Sequence, residues 1–276
     1  MKKVYQFILN KINYMSRILL SLSLIAVLAS CISNSDDENE EKNTNSNVPS
    51  TQYEWRLTKT EHTDANGVTM FVGYSIYDDK GNNVRYEFDD KDDDVIDSVI
   101  HYTYNDKGYN IKIEYDYDND NIIDEAINNY YDLNGNCTKE EYDFGNDGVI
   151  NDIQYLIYNS SGNLIRRESN GSPFLYYEYN SFGQKIKAEY TNDIGEIIML
   201  NSYDYDSNGY LVSMTIEDLT GKIETNTYIN DEFGNAIQIK TDYDGDGVVD
   251  RISYNSYEKI ENISTWALYK FPKQIQ

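Results

Sequence analysis

The sequence predicts an all-β chain. Tandem β-hairpins are expected to form an elongated, twisted antiparallel sheet or open spiral, with a small β-propeller as the alternative. Three observations predict this. The first is a period. "YDDKGNNVRYEFDD" begins at Tyr77, "YNDKGYNIKIEYDY" at Tyr104, "YDLNGNCTKEEYDF" at Tyr131 and "YNSSGNLIRRE" at Tyr158, each 27 residues after the last. The second is a turn that opens each unit: Asp or Asn, two further residues, then glycine. The Asx side chain can bond the backbone ahead of it. The third is an alternation of period two after each glycine, the mark of a half-buried strand.

The elements follow in order. The stretch from Thr51 to Ile76, with "DANG" at Asp64 to Gly67, reads as a degenerate first unit. In the next units Val84, Tyr86 and Phe88 share one face, as do Ile111, Ile113 and Tyr115, with Lys112 and Glu114 opposite. A second strand follows each acidic turn, as in "IHYTY" from Ile100. Shorter steps lead to units at Tyr179, Tyr205 and Asn230, where Ile186, Ala188 and Tyr190 repeat the pattern. A worn copy, "YNSYEKI", begins at Tyr254 with Glu258 in the glycine's place. It is expected to cap the stack, as terminal repeats do. In the propeller alternative two 27-residue units would make about one blade.

The front of the chain is a different kind of sequence. Residues 1–30 hold Lys2, Lys3, Lys11 and Arg17, no acidic residue, and an apolar run from Ile18 to Leu28. This pattern describes an export signal, and the run is too short for a lasting membrane span. "LASC" at Leu28 to Cys31 resembles the lipobox of bacterial lipoproteins. That resemblance implies that Cys31 becomes the first mature residue and carries a covalent lipid. Residues 31–50 are polar and acidic, a tether that cannot bury enough surface to order itself. An acidic stretch after the cysteine resembles the surface-export signal of Bacteroidota lipoproteins, which implies the outer face of the outer membrane. Residues 51–276 form the repeat domain.

Composition bounds the partners. Beyond residue 30 the chain holds 48 acidic and 19 basic residues, a net charge of −29. Nucleic acid is disfavoured, since its affinity comes largely from cationic contacts to phosphate. Calcium or a cationic partner suits the field better. With Cys31 lipidated, Cys137 lacks an intrachain disulfide partner. His62 and His101 have no shared spacing that suggests zinc.

Tyrosine is the signature residue, with 28 in the chain. Tyr77, Tyr104, Tyr131 and Tyr158 occupy one repeat position and are expected to align as a ladder, either structural or offered as a stripe to a glycan or peptide. The "Y[DN]xxG[NQY]" core with its alternating strand resembles the YD repeats of Rhs-type and teneurin-type proteins from about Tyr77 to Glu258. In that family such units form a long spiral sheet, sometimes a shell around a toxin. Nothing resembling a toxin follows the last repeat here.

The acidic turns carry the metal hypothesis. Asp242, Asp244, Asp246 and Asp250 in "DYDGDGVVD", and Asp116, Asp118, Asp120 and Asp124 in "DYDNDNIID", have the 1, 3, 5, 9 spacing of a calcium loop. The loops resemble the short aspartate loops of dockerins and thrombospondin type 3 repeats. Position seven would offer the carbonyl of Val248 or Ile122. Position twelve is Ser253 or Ile127, so the bidentate carboxylate of an EF-hand is missing. Weak calcium binding follows, at about 10⁻⁴–10⁻³ M. The related loops at Asp89, Asp93 and Asp97, and at Asp143, Asp147 and Asn151, have lost ligands.

Catalysis is not expected. The carboxylates lie in repeated turns, and no serine sits in a "GxSxG" motif or beside a plausible histidine. The expected role is a surface repeat scaffold or binding module, stabilised by calcium, contacting outer-membrane lipid through its anchor and a glycan or surface protein through its wall. A purely structural envelope protein and an accessory of an Rhs-type toxin system are the alternatives.

Overall fold

The computed structural model describes residues 53–261; the signal, the lipobox cysteine and the whole tether lie outside them. Sixteen strands, β1 (Tyr53–Asp64) to β16 (Arg251–Glu261), follow one another as an antiparallel meander. The all-β expectation and the hairpin units hold. The open sheet, the spiral and the propeller do not, because β16 pairs with β1 and the ring closes as a single barrel. The seam runs from Tyr53 opposite Glu261 to Asp64 opposite Arg251. The likeness to YD and Rhs repeats fails with it, since a closed ring of sixteen strands is not a spiral of stacked units.

The worn copy at Tyr254 explains the closure. It is no cap: Glu258 replaces the turn glycine, so β16 continues as a strand and meets β1. An unpaired edge at each end would invite foreign strands, and closure removes both.

Two kinds of connection occur, and the Asx-x-x-Gly kind is found at both rims, at 64–67, 192–195 and 218–221 as well as in the series that follows. At one rim the strands join through the Asx-x-x-Gly turns, from 78–81 between β2 (Thr69–Tyr77) and β3 (Asn83–Asp89) to 231–234 between β14 (Ile223–Asn230) and β15 (Ala236–Asp242). At the other rim four nine-residue acidic loops join β3 to β4 (Ser98–Tyr104), β5 (Asn110–Asp116) to β6 (Glu125–Tyr131), β7 (Cys137–Phe144) to β8 (Asp152–Tyr158), and β15 to β16. Shorter turns complete that rim.

Every hairpin of the short-turn rim carries a register shift beside its turn. These are β-bulges, which sharpen twist and bend a strand, as a closing sheet requires. They also correct the expected faces. Pairing skips from Lys187 to Lys185, so Ile186 is the bulged residue and 37% exposed, while Ala188 is buried in the core. Val84 and Ile111 are skipped in the same way.

Inside, two apolar clusters form: Phe71, Tyr86, Phe88 and Ile100, and a second around Leu175, Tyr203, Met214, Tyr228 and Ile239. Tyr86 reaches the inward face of β2 because position 73 is glycine. A Cβ there would lie 1.7 Å from the Tyr86 hydroxyl oxygen. Arg167 of β9 (Leu164–Ser169) pairs with Glu140 between the clusters, beside the Tyr142 hydroxyl. The outer face carries ion pairs at i and i+2 on successive odd strands: Lys59–Glu61, Arg85–Glu87, Lys112–Glu114, Lys139–Glu141, Arg166–Glu168 and Lys187–Glu189. A membrane-spanning barrel needs an outward apolar band. The described outer wall carries these charged pairs beside exposed apolar side chains such as Ile76, Tyr130, Tyr155 and Ile229.

Candidate functional site

The four acidic loops share one geometry, built from the first aspartate outward. The Asp116 carboxylate accepts the N–H groups of Asp120 (3.1 Å) and Asn121 (2.9 Å). Asp89 does the same for Asp93 and Asp94, Asp143 for Asp147 and Gly148, and Asp242 for Gly247. Positions four and six of every loop take positive φ, from Asp92 and Asp94 to Gly245 and Gly247. The chain thus curls around its first carboxylate. Asp89, Asp116 and Asp143 are buried at 1%, 2% and 5% exposure. At Asp242 desolvation pushes the carboxyl up, but the N–H groups of Gly247, Gly245, Asp244 and Asp246 outweigh it and hold it below its ordinary value.

The ninth residue closes each loop. Asp124 accepts from the N–H of Tyr117 (2.8 Å), and Asp250 from that of Tyr243 (2.7 Å). Carboxylate oxygens of Asp116, Asp118 and Asp124 lie within 4.8 Å of one another, as do those of Asp242, Asp244 and Asp250. The predicted sets of four therefore assemble as three. The fifth-position residues turn to their own backbone: Asp120 accepts from Ile122 (2.8 Å) and Asp246 from Val248 (2.7 Å). The position-twelve residues point away from the loops. Ile127 is buried at 9% exposure, and the Ser253 Oγ bonds His62. Three hard oxygens at this spacing suit a hard divalent cation, and a missing bidentate ligand weakens its hold.

The tyrosine ladder is found at the opposite rim. Hydroxyls of Tyr77, Tyr104, Tyr131 and Tyr158 donate to the carbonyls of Leu57, Asn83, Asn110 and Cys137, at 2.7–2.9 Å. Tyr179, Tyr205 and Tyr257 continue the series, with Asn230 standing in once through its Nδ2. β3 and β4 pair only from Arg85–His101 to Phe88–Ser98, so they part toward this rim, and Tyr104 spans the gap. The stripe positions thus spend their hydroxyls inside the barrel wall.

Sequence reasoning missed two arrangements. Contrary to the expectation that no serine lies beside a histidine, the Ser253 Oγ is 2.7 Å from His62 Nδ1, across the closing seam. Both are 1% exposed, and His62 stacks on Phe71 at 4.0 Å between ring centres. Burial, then the nearby Arg251 charge, holds the imidazole well below its ordinary pKa. A neutral, enclosed pair of this kind has no room for a substrate. The second is Lys185, which lies over the Tyr177 and Tyr203 rings at 5.4 and 4.8 Å, its pKa lowered to about 8 by burial. Only the bulge that displaces Ile186 puts it there. A cavity beneath Tyr86, Phe88 and Tyr115 measures about 10 Å³, space for one water at most.

No family model and no curated protein matches the chain. Solved structures do. A crystal structure of TcdB2-TccC3 is 15% identical, with 68% of this chain and 12% of that one aligned at a TM-score of 0.32. A porin-like protein from Bacteroides uniformis is 11% identical over 73% of this chain and 96% of its own, at 0.38. Another from Bacteroides vulgatus is 10% identical over 73% and 98%, at 0.27. The chain spans about an eighth of the first of these. At such scores the likenesses carry no functional conclusion.

Proposed function

We propose that this chain is a non-catalytic, structural β-barrel of the cell envelope, held at the outer membrane by lipid on Cys31 and stiffened by weakly bound calcium. The observation that carries the reading is the apolar, tyrosine-rich interior. Clusters of tyrosine and aliphatic side chains occupy it, together with an internal ion pair. An enzyme would need a pocket with convergent unlike polar groups. A wall bearing Lys–Glu and Arg–Glu pairs favours a barrel standing on the membrane over one crossing it. Asp116, Asp118 and Asp124, and Asp242, Asp244 and Asp250, would hold the cations, with the Ile122 and Val248 carbonyls as further donors.

Thermal unfolding of the purified chain tests the calcium part. Millimolar calcium is expected to raise Tm by several degrees, magnesium to leave it unchanged, and Asp118→Asn with Asp244→Asn to abolish the rise. An unchanged Tm in calcium reduces the loops to acidic turns. The anchor is read by the mass of the mature N-terminal peptide and by protease access on whole cells.

One observation favours a second reading, a glycan-contacting module. Tyr130, Tyr155 and Tyr176 are exposed on the outer wall at 41%, 43% and 37%. A glycan array without a hit that depends on Tyr155 removes that reading.

A further inference from the structure

The outer wall repeats a row of three that neither rim uses. In four successive units a cation and a glutamate stand on either side of one residue, all three in a single cross-strand line. In the first two units the middle residue is His101 or Asn128. In the next two it is a tyrosine: Lys139–Tyr155–Glu168 and Arg166–Tyr176–Glu189. Register partners on one face have Cβ atoms about 4.5–5.5 Å apart, so each ring has a cation on one side and a carboxylate on the other. Tyr130 pairs with Lys139 from the far side, with the Lys139 Nζ over its ring at 3.7 Å and its hydroxyl donating to Glu141 at 2.6 Å. Tyr130, Tyr155 and Tyr176 are exposed, on β6, β8 and β10 (Ser172–Tyr179).

The rings are not required by the wall. His101 and Asn128 hold the corresponding place in the same pairing, so a strand is made there without a tyrosine. Nor are the rings spread evenly over the barrel. Among the described residues the one other exposed tyrosine is Tyr254, and it stands between Gln238 and Glu61. A flat ring flanked by a donor and an acceptor is what a sugar needs: its C–H face stacks on the ring, and hydroxyls at its edge bond the charged groups. Charge narrows the class. Lys139 and Arg166 are already neutralised by Glu141 and Glu168, and the chain beyond residue 30 carries −29, so an anionic polysaccharide is repelled. Tyr155 and Tyr176 stand two strands apart, about 9.5 Å across the sheet, so they meet different sugars of one chain. That chain must be extended, because a curled one leaves the wall after a single ring.

We infer that the wall from β6 to β10 binds a neutral, extended β-1,4-linked polysaccharide, with Tyr155 and Tyr176 each stacking on one sugar between a cation and a glutamate. This rests on the glycan reading above and gives it a ligand class and a place. Tyr130 lengthens the platform by one further ring.

Isothermal titration of the purified chain with cellohexaose tests it, against maltohexaose, the same sugar in a linkage that curls. Cellohexaose is expected to bind, and maltohexaose roughly tenfold more weakly, a comparison that needs no variant. Tyr155→Ala and Tyr176→Ala should each weaken cellohexaose binding roughly tenfold, while Tyr254→Ala leaves it unchanged. Equal binding of the two sugars, an unchanged affinity in Tyr176→Ala, or an equal loss in Tyr254→Ala overturns this inference and leaves the glycan reading to the array. A chain that takes up neither sugar also overturns it. Array hits that depend on Tyr155 would then keep the glycan reading, and their absence would end both.

Discussion

The two rims of the barrel solve the same problem with a different balance of local and shared bonds. At the acidic rim each connection is mainly local, with single bonds to its neighbours, from Asn119 Nδ2 to the Ile96 carbonyl and from the Gly145 N–H to the Asp124 carbonyl. One carboxylate per loop gathers the backbone N–H groups that the curl leaves unpaired, as Asp116 does for Asp120 and Asn121. At the tyrosine rim the Asx side chain gathers N–H groups in the same way, as Asp132 does for Asn134 and Asn136, but each connection also leans on the next. The Tyr131 hydroxyl satisfies a carbonyl of β5, and Tyr109 of one turn lies over Gly135 of the following one, stacked on Tyr131 at 4.9 Å. A local device tolerates a broken neighbour; a shared one does not. Damage at the acidic rim should stay in one loop, whereas damage at the tyrosine rim should spread around the ring.

Four changes break or sharpen this contrast. Asp116→Ala removes the buried acceptor of the Asp120 and Asn121 N–H groups and should cost about 2 kcal/mol. Hydrogen exchange, measured in chelator, should show lost protection in residues 116–124 and little change in the loop from Asp143. Spread beyond the loop would contradict its independence.

Gly135→Ala should cost about 2 kcal/mol. Its φ is +85°, and an added Cβ would meet the Tyr109 hydroxyl oxygen at 2.5 Å. A double-mutant cycle with Tyr109→Ala should return part of the loss. Strict additivity would mean that the turns do not lean on one another.

The seam should respond to pH. The His62 imidazole has a folded pKa well below 6.5, its ordinary value. The unfolded chain therefore takes up the proton first. The stability this gives is complete above about pH 6.5 and falls as pH drops below it, by at most about 1.4 kcal/mol per pH unit. Denaturant unfolding between pH 7.5 and 5 should show the fall, and His62→Gln should flatten it. A variant with the parent's slope would clear His62 of the effect.

Tyr131→Phe is the mildest change. It removes one hydroxyl from the ring and leaves the Asn110 carbonyl to the Asn129 Nδ2 donor at 3.1 Å, for about 0.5–1 kcal/mol. Tyr130→Phe, one residue away on the outer wall, should cost less, because its hydroxyl bonds Glu141 in an exposed position. The reverse order would deny the ladder its structural role.

Much of this was legible before any fold was known. Alternation fixed the strands, and Asx-x-x-Gly fixed the turns, since both depend on residues a few positions apart. The acidic loops were legible too, because the aspartates repeat in register. That the first of them gathers the loop's own N–H groups was not, nor was their division of labour. Nothing in "DYDNDNIID" says that Asp120 serves its own backbone while Asp116, Asp118 and Asp124 converge. The face of Ile186 was not legible, because a bulge shifts parity without changing composition, and the same bulge takes Val84 and Ile111 out of the pairing.

The sequence by itself determined the local units: sixteen strands' worth of alternation, the turn chemistry and the acidic loops. Only the tertiary structure decided that the last strand meets the first, and with it the His62–Ser253 contact across 191 positions of chain. The physical reason is that twist and bulge accumulate over the whole sheet. Closure is a sum over every strand, and no single repeat records the total.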